Sequence, residues 1–491
     1  MSLFSDIKHL LRKSTVYGFG YFLINGIHFL LLPLYTRYLK PEEFGIIYLG
    51  RTITFILSIF LSLGVHRAVT YFYYEVKEED ERRRNLGTMW VFMMVISIGL
   101  TVLFDRFGNA VFPLMIQSIS FDPFIRLSIW TAFFNTLGLL PLSLLQAKEQ
   151  AGLYISLTAL KTLITVTFVI KFIAFDSQGA YGYLWGTLLA SVLMVIPYAL
   201  VTLNNVTIGW KIPTIKRALG YSLPLVPHDL AGWALEYSDR VILEKFVSLG
   251  AIGIYSFGYQ ISILMGNIAM SVKDAWLPFL FKSDGRQEKS NQQNLSRMVT
   301  YYVLGLSWIA LGISLFTKPL LIFFVDPSYL PAYGIIPWVI LGQLCNGFYY
   351  VPVNFLFLKS KTGWIPAITL AASLCSIGFN LLLVPQFGIM AAAWITFLAY
   401  AVMLMLAWVI AYRIYPFPYE YKRIFHILFL FAILFWLGSS LDFTLTSIEF
   451  LARSILWIVF PGILVVSGFL LQSERLFLQR VVRRLLIGQE P

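Results

Sequence analysis

Apolar residues run along this chain in long blocks, separated by short polar segments. About fourteen blocks are long enough to cross a bilayer as helices. They start near Ser14, Gly45, Asn85, Pro123, Leu153, Ala180, Ala218, Ala251, Leu295, Pro331, Trp364, Gly388, Lys422 and Leu451. Period-two alternation, which a membrane barrel needs, is absent. The pattern predicts an all-α integral membrane protein of about 14 transmembrane helices. The first block follows Lys8, Arg12 and Lys13 but runs too far for a signal peptide and lacks a small-residue cleavage site. It is expected to be a retained span.

The blocks also repeat. Pro141, Lys148 and Gly152 return as Pro352, Lys359 and Gly363, displaced by 211 positions. Gly179, Trp185 and Thr187 return as Gly388, Trp394 and Thr396, displaced by 209. Arg37, Tyr38, Leu39, Phe44, Gly45 and Ile46 are echoed by Lys245, Phe246, Val247, Ile252, Gly253 and Ile254, displaced by 208. An even number of spans per copy orients both bundles alike, about an axis along the membrane normal. The expected organisation is an N-terminal lobe over 1–203 (spans one to six, with an interfacial helix at its start) and a linker over 204–217. A C-terminal lobe over 218–414 holds spans seven to twelve. Spans thirteen and fourteen, two peripheral helices with few polar residues, and an amphipathic end occupy 415–491. Segments 2–13 and 475–486 mix apolar and basic residues as helices lying on the inner leaflet do.

Only 13% of the residues are charged, about half the share in a soluble domain. A net charge of +12 could indicate nucleic acid, but its distribution argues otherwise. With both termini inside, about 24 Lys and Arg fall on inside segments and about 9 outside, Arg240, Lys318 and Arg453 among the latter. The excess base therefore reads as topology and anionic-lipid contact, and no nucleic-acid partner is expected. Cys345 and Cys375 lie within spans and read as packing residues. No metal or cofactor is expected.

Polar residues inside spans are costly in lipid, so stripes at helical spacing should face the bundle interior. Span one carries Tyr21, Asn25 and His28, and span two Arg51, Thr54, Ser58 and Ser62. Span five carries Thr158, Lys161 and Thr165, and span seven Asp229, Trp233, Glu236 and Arg240. Span eight carries Gln260, Asn267, Ser271 and Asp274, with Lys273 alongside. Arg51, Lys161, Lys273, His28, Asn25 and Asn267 are the candidate substrate-binding residues. Asp229, Glu236, Asp239, Arg240 and Asp274 are candidates for ion coupling or ion pairing, Arg240 with Glu236 one turn back. His66 and Arg67, at the end of span two, read as interfacial. Cations in a low-dielectric cavity favour an anionic partner such as a phosphate, a diphosphate or an acidic sugar. The loops leave no room for a soluble catalytic domain, and no GxxxxGK[ST] loop is present. No catalytic residues are expected.

Several segments carry a family resemblance: Tyr38–Gly45 (YLKPEEFG), Leu144–Gly152 (LLQAKEQAG), Ser222–Pro227 (SLPLVP), Ser238–Leu243 (SDRVIL) and Gly253–Tyr255 (GIY). They resemble the polysaccharide-biosynthesis lipid flippases, of the O-antigen and capsule type, in the multidrug/oligosaccharidyl-lipid/polysaccharide exporter superfamily. The resemblance covers spans one to twelve. It implies moving an undecaprenyl-diphosphate-linked oligosaccharide from the inner to the outer leaflet by alternating access. The place would be the bacterial inner (cytoplasmic) membrane, with both termini cytoplasmic. Partners would be the polyprenyl-diphosphate-linked glycan, membrane lipids, and polymerase or chain-length proteins of the same pathway. Such proteins line a central cavity mainly from spans one, two, seven and eight, often with cations. Arg51 and Lys273 stand in such spans, whereas span one offers His28 and no Arg or Lys in its middle. The alternative is an ion-coupled drug or metabolite exporter of the same superfamily. A membrane-bound glycan polymerase or ligase is more remote.

Overall fold

The computed structural model describes residues 26–27, 29–284, 289–441, 446–472 and 474. Among them the chain is helical and forms no strand. The first repeat copy holds α1 (Leu32–Tyr38), α2 (Pro41–Ser62), α3 (Ala68–Glu75), α4 (Glu79–Val111), α5 (Arg126–Leu137), α6 (Leu139–Ala147), α7 (Ala151–Ile170), α8 (Gly179–Leu193) and α9 (Val195–Leu203). There follow α10 (Ile212–Ser222), α11 (Val226–Leu243), α12 (Leu249–Asp284), α13 (Lys289–Phe324), α14 (Ile336–Leu358), α15 (Trp364–Ile414), α16 (Tyr421–Ser440) and α17 (Thr446–Val466). The expected interfacial segments 2–13 and 475–486, and much of the first span, lie outside the described residues.

Ten helices among the described residues are long and apolar enough to cross a membrane. There are eleven if the Pro327–Gly334 turn and α14, bent by 52°, count as one span. Beyond the first span, which lies largely outside the described residues, two features separate this from fourteen. α15 runs for 51 residues, about 75 Å at helical rise, far beyond a hydrocarbon core of about 30 Å. It breaks at Gly388, whose φ of 56° and ψ of −136° are non-helical, so the two predicted blocks share one helix. α11 carries Asp229, Glu236, Asp239 and Arg240 within 18 residues and is too polar to pass as a span on hydropathy.

Contacts divide the chain into two units: Met1–Pro278 with Phe324–Ile414, and Phe279–Phe323 with Tyr415–Pro491. In the first unit the two repeat copies meet at equivalent glycines. A Cβ on Gly45 would lie 2.3 Å from the carbonyl oxygen of Leu249, and one on Gly253 only 1.8 Å from that of Pro41. Pro41 and Leu249 are themselves displaced by 208, so each copy offers the other the same glycine and the same carbonyl. Lipid supplies no hydrophobic drive between helices, and close backbone approach over small residues takes its place. Phe44 packs beside this crossing against Tyr48, Phe257 and Tyr329. The Tyr329 hydroxyl donates to the Leu39 carbonyl and that of Tyr48 to Gln260 Oε1, both at 2.9 Å. Nearby Glu244 accepts from the backbone N–H groups of Gln117 and Ser118 at 2.6 Å each. Beneath it, Leu49, Ile53 and Leu57 of α2 join Ile125 and Ile129 and, from the other copy, Ile252 and Tyr255 in one buried core.

The second unit is held by polar contacts that the sequence pattern does not reveal. Trp308 of α13 and Trp457 of α17 stack at 4.6 Å between ring centroids. Each indole N–H donates to the other's carbonyl at 3.0 Å. Spans thirteen and fourteen are expected to carry few polar residues, yet Glu449 and Arg453 are each only 1% exposed. Arg453 Nη2 lies 2.6 Å from Glu449 Oε1, and its Nη1 donates to the Leu315 carbonyl at 2.6 Å. Lys318 Nζ stands 3.3 Å from the other carboxylate oxygen. Arg453 is thus a buried, paired group. Removing the Glu449 carboxylate breaks a buried ion pair, which costs about 3–5 kcal/mol. Glu449→Ala should lower the thermal stability of the purified protein accordingly, and unchanged unfolding of the variant would contradict this.

Candidate functional site: a cation-bearing polar cavity

α2 is fixed at both ends by local chemistry. Pro41 opens it, and the Glu43 carboxylate accepts from the Lys40 backbone N–H at 2.9 Å, satisfying a donor that the helix leaves orphaned. Leu63 and Gly64, both at positive φ, end it. The helix therefore presents Arg51, Thr54, Phe55, Ser58 and Ser62 along one wall of a cavity of about 690 Å³. Thr131 and Asn135 of α5, Lys161, Thr162 and Thr165 of α7, and Thr187 of α8 add further hydroxyl, amide and amine groups. α11 closes the cavity from the other repeat copy with His228, Asp229, Trp233, Glu236 and Tyr237. Phe55 and Tyr237 stack across the two helices at 5.0 Å, and the Trp233 indole donates to the Thr52 carbonyl at 3.3 Å. The cavity runs along α2 from Arg51 to His66 and Arg67. The glycine crossing lies near the opposite end of α2.

The structure brings together part of the predicted set. Arg51 lines the cavity with its guanidinium carbon 4.8 Å from the centroid of the Tyr48 ring. Lys161 Nζ donates to Asn135 Oδ1 at 2.6 Å, and the same oxygen accepts from Ser191 at 2.9 Å. Neither cation belongs to an ion pair among the described residues. Lys273 and Asn267 do not line this cavity. Lys273 Nζ lies over the Tyr350 ring at 5.0 Å. Asn25 and His28 lie outside the described residues, as does the side chain of Asp274. The lining also includes residues that the sequence reading left out. Asn135, Thr131 and Thr187 show the same three- or four-residue spacing within their spans, and Phe55, Tyr183 and Tyr237 supply an aromatic wall.

The acids divide into three environments. Asp229 pairs with Arg67 at 2.5 Å, so Arg67 and His66 belong to the cavity wall as well as to the helix end. Glu236 lines the cavity. Asp239 and Arg240 lie outside the lining, 3% and 1% exposed. Arg240 takes Asp239, at 2.7 Å, as its carboxylate partner, and only the backbone carbonyl of Glu236. This corrects the expected Arg240–Glu236 pair. The ring of Tyr259 lies 4.0 Å from the guanidinium, and the Tyr255 hydroxyl donates to the second oxygen of Asp239. The pair is a structural weld whose rupture leaves a bare buried cation. Asp239→Ala should cost about 3–5 kcal/mol, read as a fall in the unfolding midpoint in detergent. A variant as stable as the parent would refute the weld.

A polar, hydroxyl-lined hollow, whose arginine and lysine pair with no carboxylate among the described residues, can hold an anionic group and a polar body together. Comparison with known proteins agrees with a membrane protein of this architecture. A lipid II flippase, MurJ, in an inward closed conformation superposes with a TM-score of 0.71, covering 93% of this chain and 99% of that one at 14% identity. An inward-facing multidrug-resistance MATE family transporter gives 0.66, with 82% and 94% covered at 11% identity. These likenesses establish the fold. In sequence, a Haemophilus influenzae protein named for the Lsg locus is 23% identical over 379 residues, 76% of this chain and 86% of its own. A membrane protein of Methanocaldococcus jannaschii is 21% identical over 416 residues, 78% of this chain and 80% of its own. The model of the family described as polysaccharide biosynthesis protein matches residues 10–284, more than half of the chain. On its sequence, and in keeping with its fold and cavity, the chain belongs to the polysaccharide biosynthesis protein family.

Proposed function

We propose that this protein moves a polyprenyl-diphosphate-linked oligosaccharide across the membrane by alternating access, for the assembly of a cell-surface polysaccharide. The observation that carries the reading is the pair Arg51 and Lys161 in one polar cavity, neither in an ion pair among the described residues. Carrying a glycan's polar groups unhydrated through hydrocarbon would cost several kcal/mol each. The hydroxyls of Thr54, Ser58, Thr131, Thr162 and Thr165 replace that water, and Trp233, Phe55 and Tyr237 offer flat apolar faces for sugar rings. The diphosphate is held by Arg51, while the lipid tail stays in the bilayer. The positive-inside rule assigns the Arg67 end to the cytoplasm, together with both termini. The cavity is then loaded from the inner leaflet, and the glycine crossing closes its outer end. Polymerase or chain-length proteins of the pathway would receive the product.

One feature favours a second reading. Glu236 shares the cavity with Phe55, Tyr183, Tyr198, Trp233 and Tyr237, a setting that also suits a cationic drug or metabolite. Proteoliposomes separate the two. The reading expects accelerated transbilayer movement of a fluorescent polyprenyl-diphosphate glycan by the reconstituted protein. Movement of a lipophilic cation instead, with the glycan lipid unmoved, would give the site to the exporter reading.

A further inference from the structure

The mouth of the cavity holds a second group of charges that the deep site does not use. Arg67, directly before α3, and Asp229, in the first turn of α11, come from opposite repeat copies and meet at 2.5 Å. Both line the cavity, as do their chain neighbours His66 and His228. The Nδ1 atoms of both histidines are buried without a hydrogen-bond partner. A buried nitrogen with no acceptor is best left without a proton, which puts the ring N–H on Nε2 as a donor for an incoming acceptor. Arg67 remains 43% exposed in its side chain. Roughly 16 Å of α2 separates Arg51 from Ser62, and Arg67 follows only after the turn at Leu63 and Gly64.

We propose that Arg67, with His66 and His228, forms a separate entry station for a diphosphate at the cavity mouth, and that Asp229 occupies it as an internal stand-in anion until the substrate arrives. The inference rests on the cavity being a pathway for a diphosphate-linked glycan. The station works by exchange. A diphosphate brings more negative charge than one carboxylate and more acceptor oxygens, so it takes Arg67 and the two imidazole donors while Asp229 is released to water. Freeing Asp229 also uncouples the two repeat copies at this end, so arrival of cargo and loosening of the mouth become one event. The ion pair is partly exposed and thus weak, which suits a contact that has to yield. From this station the cargo passes inward to Arg51.

Inorganic diphosphate is the probe, titrated calorimetrically into the purified full chain and into Asp229→Asn, Arg67→Gln and the double variant. Asp229→Asn removes the competitor and should bind about two- to fivefold more tightly than the parent. Arg67→Gln should bind about tenfold more weakly, and the double variant should be no better than Arg67→Gln alone. A gain that persists in the double variant would assign the effect to general charge and overturn the station. So would an Asp229→Asn variant no tighter than the parent, in a protein whose diphosphate binding is still lost on Arg51→Ala. A folded parent that binds no diphosphate at all would remove the underlying reading of the cavity and this proposal with it.

Discussion

Arg51→Ala should cut transbilayer movement of a polyprenyl-diphosphate glycan in proteoliposomes by about tenfold to a hundredfold. The arginine is the deep cation of the cavity, and no carboxylate among the described residues neutralises it. A hydrogen bond to a charged group is worth about 1.5–3 kcal/mol, which converts to that range of affinity. The loss should fall on function and spare the fold, because the guanidinium's described contact is the Tyr48 ring and no buried ion pair is broken. Arg51→Lys keeps the charge but not the planar fork, and should recover part of the activity. Lys161→Met should cost less, since its amine is already engaged by Asn135. In cells the same Arg51→Ala change should leave surface polysaccharide absent and the lipid-linked precursor in the inner leaflet. Full transport by a stable Arg51→Ala variant would take the arginine out of the site.

Gly253→Val should abolish transport by a different route. The added Cβ would stand 1.8 Å from the Pro41 carbonyl oxygen, with the Gly45 nitrogen at 3.0 Å. These are backbone atoms, so no rotamer change relieves the overlap and the two helices have to part. The expected outcome is a protein held open at the end that the wild type seals. Tyr48, 6% exposed beside the crossing, is a suitable reporter. A Tyr48→Cys probe, with Cys345 and Cys375 replaced by Ser, should be silent to a soluble maleimide in the parent and reactive with Gly253→Val. Gly45→Val should give the same result from the other side, because the contact is reciprocal. A transporting Gly253→Val protein with an unreactive probe would show that the crossing does not govern access.

Much of the fold could be read from the chain because lipid imposes a coarse rule, long apolar blocks with polar residues turned inward. Arg51, Lys161, Asp229 and Glu236 were found by that rule, and one cavity holds them all. The rule places a residue on a helix face without saying which helices share a hollow, so Lys273 was grouped with Arg51 although it lies over Tyr350. Asn135 and Thr187 carry the same spacing signal and line the cavity too, on spans for which no polar stripe is read from the sequence. The buried partners of Arg240 and Arg453 were hidden for another reason. A count of basic residues assigns charge to a side of the membrane and cannot register a carboxylate one residue away or one turn away. The number of spans was blurred where hydropathy and geometry part, at the Gly388 break and along polar α11.

The reciprocal crossing at Gly45 and Gly253 has the form of an isologous interface, in which one patch serves as its own partner through a two-fold axis. Identical half-length chains could have closed against one another through it as a homodimer before any fusion, each supplying the notch and the ridge. Once joined, the copies became free to diverge away from the axis, and here an acid-bearing helix from one copy faces the amine and hydroxyls of the other. An asymmetric cavity beside a reciprocal crossing would then be two outcomes of one duplication.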